Sequence, residues 1–460
     1  MKNILYINIL ISFLLVLTSC KKFLEVEPKN AVLDEVTIYD KASAETALRG
    51  AYRQLGHTNY YGQNYVTLAI FPGGDVVNNT TGGGQNMVDL NFRSDDPLFS
   101  ASWEAIYNAI NRANHILQKV PGISDPALTA ELKNQILGEA YFIRALSYFD
   151  LARGWGGVQI KLTPTADLTN NDSGIPRSTF EQTLDQVLSD LDKAEDLLPN
   201  TVNRVRATKK TVWALKARLY LYKKDWPNAE LYATKVIDDG NFKLEKPFNS
   251  WFANNRVATE ESIFEIAFSA QNPNTIRDYL QHPTKGGTYR FTANNNFINL
   301  LKDPSIGGGP NGRRSLVDSL TQNNTTLWYI NLYYRSPATD PAYVLRIAEM
   351  YLIRAEARAE QTNFDQAIDD INIIRDRANL SDLDADIDTK EEILLAIENE
   401  RRFEFAFEAH RYFDLARTGR LRAVIEGADP KKKVDAHEYV FPIPVSQVQL
   451  DNSLKQTPGY

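Results

Sequence analysis

Apolar side chains recur at the spacing of an α-helix over most of the chain outside its middle section. In the first such segment they fall at Ile38, Ala42, Ala47, Leu48, Ala51, Tyr52 and Leu55. Steps of three and four residues place these side chains on one face of a helix. The same pattern covers residues 102–120, 132–153, 180–198, 211–223 and 228–238, and proline or glycine follows several of these segments. The pattern predicts a mostly α-helical fold.

Two pairs of predicted helices carry small residues at matching positions. Ala217 and Ala229 lie on either side of one turn, and Ala355 and Ala367 repeat the same spacing across another. Small residues let antiparallel helices approach closely, and this pattern is similar to the tetratricopeptide repeat. The pairs are too far apart in the sequence for a tandem array, so ordinary helical hairpins remain a second interpretation. In either case paired helices are predicted to form the scaffold.

Two stretches interrupt the helical pattern. Residues 56–97 are rich in Gly, Asn, Thr and Asp and show little periodicity, which is typical of a functional loop. Residues 239–343 contain many Asn and short strand-like pieces at 262–267 and 326–334. Irregular segments on a rigid frame are where binding residues tend to lie. We therefore expect the ligand-binding surface in these two stretches.

Composition narrows the possible functions. The net charge of −7 and the pI of about 5.5 argue against a surface that follows nucleic-acid phosphates. The chain has a single cysteine, so no disulfide can form within it. Aromatic residues make up 11% of the chain, and an excess of Tyr and Trp in loops would suit a surface that binds flat, polar ligands.

The N-terminal residues have the composition of a secretory signal. Lys2 gives a positive start, residues 4–17 form a short apolar core, and small residues precede Cys20. The apolar core is too short for a stable membrane span. The order Leu-Thr-Ser-Cys ending at Cys20 resembles the bacterial lipobox, which implies a leader at residues 1–19 and a lipid anchor on Cys20. A plain signal peptide is the alternative.

The sequence contains no clear catalytic or metal-binding motif. The chain contains no phosphate-binding loop, dinucleotide fingerprint or Gly-x-Ser-x-Gly elbow. The five histidines never pair at metal-ligand spacing, and no cofactor is predicted. The acidic pairs 260–261 and 391–392 could serve a glycosidase, although solvated helix faces explain them equally well. A run of aspartates imitates the start of a calcium loop but has isoleucine where the loop needs glycine and glutamate. These aspartates are Asp382, Asp384, Asp386 and Asp388.

The C-terminal third carries a specific resemblance. Residues 398–419, ENERRFEFAFEAHRYFDLARTG, resemble the signature of the SusD/RagB family of surface lipoproteins from Bacteroidetes-type bacteria. The segments YVFPIP at 439–444, QTPGY at 456–460, LRIAEMYLIRAEA at 345–357 and CKKFLEVEP at 20–28 support it. One departure is Ala409, where the family often has glycine.

The signature is predicted to serve folding more than ligand binding. Read as one continuous helix over residues 398–419, it places two oppositely charged pairs three residues apart, Glu408 with Arg411 and Asp414 with Arg417. One face of that helix would carry Phe405, Ala409, Tyr412 and Phe413.

The resemblance implies a fold and a function. The fold would be one SusD-like domain over residues 20–460, with an N-terminal half at about 23–238, an irregular insert at about 239–343 and the signature region at about 344–460. Family members are not enzymes. They capture oligosaccharides, or peptides in RagB-like cases, at the outer membrane and sit over a SusC-like TonB-dependent transporter. A surface glycosidase and a purely structural helical adaptor are the rival classes.

The expected ligand contacts are aromatic rings that stack on sugar faces and planar polar groups that bind hydroxyl pairs. Their locations are the two irregular stretches. The residues predicted on this basis are Tyr60, Tyr61, Tyr65, Asp75, Asn78, Tyr289, Arg290, Trp328 and Tyr329.

Overall fold

The predominance of helix is confirmed in a computed structural model, which describes residues 37–80, 84–165, 174–308, 312–383 and 386–460. Its α-helices are α1 Lys41–Leu55, α2 Asn64–Ile70, α3 Gln85–Val88, α4 Pro97–Lys119, α5 Ala130–Trp155, α6 Phe180–Leu197, α7 Lys209–Lys223, α8 Trp226–Asp238, α9 Ile276–Leu280, α10 Asn295–Lys302, α11 Pro304–Gly307, α12 Ile347–Glu360, α13 Phe364–Arg377, α14 Lys390–Glu404, α15 Arg411–Arg417, α16 Leu421–Ala428 and α17 Val445–Leu450. The β-strands are β1 Val76–Asn78, β2 Ser262–Ile266, β3 Phe291–Ala293, β4 Val317–Gln322, β5 Thr325–Ile330 and β6 Ala342–Arg346. The predicted leader and Cys20 lie outside the described residues. None of the helices in these ranges is both long and apolar enough to cross a membrane.

Side chains just before the helices fix where several of them begin. Thr179, Thr208 and Thr389 each accept a hydrogen bond from the backbone N–H three residues later, at α6, α7 and α14. In each case the side chain at that third position returns a hydrogen bond to the threonine backbone. This capping box satisfies amide groups that have no partner inside the helix.

The helices form one continuous stack. Helix α1 packs on α4, and each of α4, α5, α6 and α7 packs on the next, ending at α8. Helix α8 then packs against α12, which packs against α13 and α14. The two predicted helix pairs, α7–α8 and α12–α13, are therefore neighbours in space although the insert separates them in the sequence. Their alanines, Ala217, Ala229, Ala355 and Ala367, are fully buried as close helix packing requires.

The insert begins and ends at the same place. Strand β2, near its start, pairs antiparallel with β6 at its end. Between them lie β3, which pairs with β1 of the first irregular stretch, and a hairpin of β4 and β5. Asn323 and Asn324 form the hairpin turn with positive φ angles of 50° and 61°. Two consecutive positive φ angles match the right-handed twist of the strands, and asparagine tolerates them better than most residues.

The first irregular stretch is more ordered than its composition predicts. It contains α2, in which all seven residues are buried, and the short helix α3. Residues 64–70 show no apolar periodicity because a helix surrounded on every side has no polar face.

The predicted helix over residues 398–419 is broken. Helix α14 ends at Glu404, α15 begins at Arg411, and Phe407 between them has a φ of +66°. The predicted pair of Asp414 with Arg417 forms, at 2.9 Å. The predicted pair of Glu408 with Arg411 does not, because Glu408 turns inward to Arg346 at 2.7 Å.

Near the break, three carboxylates meet two guanidinium groups in the protein interior. Arg346 Nη1 lies 3.0 Å from carboxylate oxygens of both Glu261 and Glu404, and Arg377 binds the same two carboxylates. Glu408 completes the set, which we call the buried arginine cluster: Glu261, Arg346, Arg377, Glu404 and Glu408. All five side chains are at most 2% exposed.

The buried arginine cluster contains three carboxyl groups but only two guanidinium groups, and its carboxyl pKa values are shifted. Burial raises the pKa of Glu261 to about 7 against the opposing charges of Arg377 and Arg346. Burial also works to raise the pKa of Glu404, but the same two guanidinium groups outweigh it and lower that pKa. Glu261 is therefore the carboxyl of this coupled pair that more readily holds a proton.

Candidate functional site

Four of the nine predicted contact residues come together where β1, β3 and β5 meet. The pairing of β1 with β3 sets Asn78 opposite Phe291, directly beside Arg290. The neighbouring Asn79 N–H donates to the Arg290 carbonyl at 2.8 Å. The first irregular stretch and the insert, far apart in the sequence, thus share one surface.

Strand β5 joins this surface through the backbone of Trp328. The Tyr289 hydroxyl donates to the Trp328 carbonyl at 2.9 Å, and the Thr292 hydroxyl donates to the same oxygen. Both bonds fix the strand that carries the indole while leaving the ring half-exposed. We call the group of Asn78, Tyr289, Arg290 and Trp328 the Trp328 surface.

The polar members of this surface are held in place by local contacts. The Arg290 guanidinium lies 4.8 Å from the centre of the Tyr279 ring, and Arg290 is half-buried. Asn78 Oδ1 accepts hydrogen bonds from the Thr80 N–H and hydroxyl, each at 3.0 Å. Burial raises the pKa of the Tyr289 hydroxyl, so this group stays a neutral hydrogen-bond donor. The half-exposed indole thus lies on strands whose neighbouring polar side chains are held in place by these contacts.

Two cationic side chains that were not predicted as ligand contacts lie close to the indole ring. Lys302 Nζ lies 4.7 Å and the Arg314 Cζ atom 5.4 Å from the centre of the Trp328 ring. Both side chains are exposed. They lie 26 and 14 positions before Trp328, Lys302 at the end of α10 and Arg314 between α11 and β4. No sequence spacing could have indicated that they meet at one ring.

The three tyrosines of the first irregular stretch belong to the core. Tyr60, Tyr61 and Tyr65 are at most 2% exposed, and their ring centres lie 4.7 to 5.6 Å apart. The Tyr60 hydroxyl donates to Asp150 at 2.6 Å, and the Tyr65 hydroxyl accepts from Arg153 at 2.8 Å. Their prediction as ligand contacts is wrong for this structure, because the rings present no face to solvent.

The side chains of Asp75 and Tyr329 are also buried and bind other residues of the protein. Asp75 is buried and accepts two hydrogen bonds from Arg402 Nε, at 3.0 and 3.2 Å, which joins the first irregular stretch to α14. The buried Tyr329 donates its hydroxyl to Asp318 at 2.6 Å on the opposite face of the hairpin from Trp328. Both residues were predicted as ligand contacts, and the structure corrects this.

One carboxylate of each acidic pair considered for catalysis has a structural role. Glu261 is in the buried arginine cluster, and Glu392 closes the capping box of Thr389 at the start of α14. Among the described residues, no three His, Cys, Asp or Glu side chains are grouped as metal ligands. Asp384 of the calcium-like run lies outside those residues, so that interpretation stays untested.

Comparison with known proteins agrees with this mostly α-helical fold. A family model described as "Starch-binding associating with outer membrane" matches residues 22–221, and one described as "SusD family" matches residues 311–460. SusD-like protein P38 of Formosa agariphila is 27% identical over 95% of this chain and 96% of its own length.

Solved structures share the fold. A SusD superfamily protein of Bacteroides vulgatus has a TM-score of 0.82 at 24% identity, covering 91% of this chain and 99% of that one. A laminarin-binding SusD-like protein has a TM-score of 0.78 at 20% identity, covering 92% and 100%. The two family models together match most of the chain, and the chain belongs to the SusD/RagB family.

Proposed function

We propose that this protein is a cell-surface lipoprotein that captures glycans on the Trp328 surface. The observation that carries the proposal is the half-exposed indole of Trp328, whose backbone carbonyl accepts a hydrogen bond from the Tyr289 hydroxyl and whose ring lies near Lys302 and Arg314. An indole face packs against the C–H face of a sugar, and the polar groups beside it bind hydroxyls. The starch-binding description of one matching family model and the laminarin-binding structural neighbour favour a glycan.

Delivery to a SusC-like TonB-dependent transporter is the second part of the proposal. The outer-membrane association in the family description supports this location, and the lipobox ending at Cys20 would supply the anchor. Capture needs no chemistry from this chain, and millimolar affinity corresponds to only about −4 kcal/mol. A transporter gene next to this one, and co-purification of the two proteins, would support the partnership. Peptidase genes in place of glycan hydrolases nearby would favour the RagB-like peptide alternative.

A glycosidase is the less favoured function. Retaining and inverting enzymes both need two carboxyl groups facing one cleft. Of the acidic pairs in the sequence, Glu261 is buried against Arg346 and Glu392 caps a helix. Release of sugar from laminarin or starch by the purified protein would contradict this part of the proposal.

Isothermal titration with the Trp328→Ala variant tests glycan capture. The probes are malto-, laminari- and galacturonate oligosaccharides, titrated into the wild type and the variant. Loss of the indole should weaken binding of the recognised probe by about tenfold, because ring stacking contributes about 1 kcal/mol or more. Trp226→Ala is the matched control, since Trp226 is also half-buried but lies at the start of α8. Equal affinity in the wild type and Trp328→Ala would remove this surface from the proposal.

A further inference from the structure

Where the structure describes the chain, most cations have an acidic partner, but Lys302 and Arg314 have none. Within the described residues, no carboxylate forms an ion pair with either of them. The contrast is sharpest within two adjacent residues: Arg313 is 1% exposed and bound to Glu400, whereas Arg314 is exposed at the Trp328 ring. The two charges are therefore available to a ligand.

The face of the hairpin that carries the indole is free of negative charge. Side chains alternate between the two faces of a strand, so cross-strand partners share a face. Trp328 is paired with Ser319, and the next pair on the same face is Thr321 with Thr326. The single carboxylate of the hairpin, Asp318, is paired with Tyr329 and lies on the other face.

The nearest carboxylate in sequence is also occupied. Asp303, directly after Lys302, accepts hydrogen bonds from the Ser305 N–H at 2.8 Å and the Ser305 hydroxyl at 2.6 Å, which caps α11. The indole meanwhile holds both cations close to its ring by cation–π attraction, which limits their freedom before any ligand arrives. A positive site is thus preorganised next to a sugar-binding ring in a chain whose net charge is −7.

We propose that the glycan bound at the Trp328 surface is anionic, and that Lys302 and Arg314 bind its uronate carboxylate or sulfate ester. The inference rests on the proposed function, since it names the class of glycan taken by that same surface. Guanidinium and ammonium groups both donate charge-assisted hydrogen bonds to such anions. A neutral glycan would leave the two cations without a counter-charge.

Matched pairs of oligosaccharides test the inference. Oligogalacturonate is compared with its carboxyl-reduced form, and a carrageenan oligosaccharide with its desulfated form, by titration calorimetry. We expect the acidic member of at least one pair to bind about tenfold tighter than its neutral counterpart. Which pair shows the difference distinguishes a carboxylate from a sulfate. Added sodium chloride should weaken only the acidic member, because salt screens the charges.

Variants assign the effect to the two cations. Lys302→Gln and Arg314→Gln should each weaken acidic binding by about threefold to tenfold and leave neutral binding unchanged. Lys431→Gln is the matched control, since Lys431 is equally exposed but lies outside the insert. The glutamine variants keep chain length and surface polarity, and melting curves verify that they are folded.

The outcomes separate this inference from the proposed function. Equal affinity for both members of each pair, lost in Trp328→Ala, would overturn the anionic preference and leave glycan capture standing. Binding of the acidic members that is unchanged in both glutamine variants would also overturn it. No binding to any oligosaccharide would overturn both proposals.

Discussion

A cation lies over an indole in two regions of this molecule, with opposite surroundings. In the buried arginine cluster the Arg346 Cζ atom lies 4.1 Å from the centre of the Trp251 ring, and three carboxylates surround its guanidinium. At the Trp328 surface Lys302 and Arg314 make the same kind of ring contact in solvent. The interior supplies carboxylates to Arg346, whereas no carboxylate of the described residues forms an ion pair with Lys302 or Arg314. The first arrangement stabilises the fold, and the second leaves its charges available for a ligand.

The largest effect is expected from Arg346→Ala. Removing this side chain leaves Glu261, Glu404 and Glu408 crowded in the interior, and breaking a buried charge network of this kind costs about 3–5 kcal/mol. Chemical denaturation should therefore show a loss of that size in the free energy of unfolding. Lys302→Gln, at the other indole, serves as control and should change stability by less than about 0.5 kcal/mol. Similar stability losses in the two variants would remove the distinction between the regions.

An intermediate loss in the free energy of unfolding is expected from Asp75→Asn. The substitution removes the charge that Arg402 binds and weakens the link between the first irregular stretch and α14, at a cost of about 1–3 kcal/mol. Glycan affinity should stay unchanged, since Asp75 is buried in this ion pair. Asp95→Asn is the control, because its ion pair with Arg93 is more than half exposed and such pairs contribute little. If a folded Asp75→Asn protein no longer bound glycan, Asp75 would be a ligand-binding residue after all.

The smallest effect concerns pH. Burial, together with the positive charges of Arg218 and Arg401, lowers the pKa of His410 well below its usual 6.5. The folded state thus resists protonation, so the stability contributed by neutral His410 is present above pH 6.5 and is lost as pH falls toward the folded pKa. The loss of stability grows as the pH falls below 6.5, because the unfolded chain binds a proton at His410 that the folded protein does not.

His410→Gln should remove this part of the acid sensitivity. Melting curves recorded between pH 7 and pH 5.5 compare it with the wild type and with His57→Gln, a change at an exposed histidine. We expect a smaller drop on acidification in His410→Gln alone. An identical drop in all three proteins would show that His410 does not carry the effect.

Local sequence pattern was sufficient to predict the long helices and the two helix pairs. Ala217, Ala229, Ala355 and Ala367 indicated both helix pairs, and the apolar period located the long helices. These features depend on neighbours three or four residues away. The contact between α8 and α12 could not be predicted, because the insert separates these helices in the sequence.

The structural features that were predicted incorrectly depend on contacts between residues far apart in the sequence. Tyr60 and Tyr65 have loop-like neighbours in the sequence, yet Asp150 and Arg153 of α5 hold them in the core. The break after Glu404 has neither glycine nor proline to indicate it, and it lets Glu408 as well as Glu404 reach Arg346. Trp328 was predicted correctly as part of a strand-like segment, but its two cations come from other elements.

The antiparallel pairing of β2 with β6 has a consequence for how such proteins diversify. Because the chain departs from the helices and rejoins them at adjacent backbone positions, the segment between those strands can gain or lose residues without displacing α8 from α12. Under the proposed function, changes of length or sequence in this segment can alter the contacts that Trp328, Lys302 and Arg314 make with a ligand while the helices keep their packing.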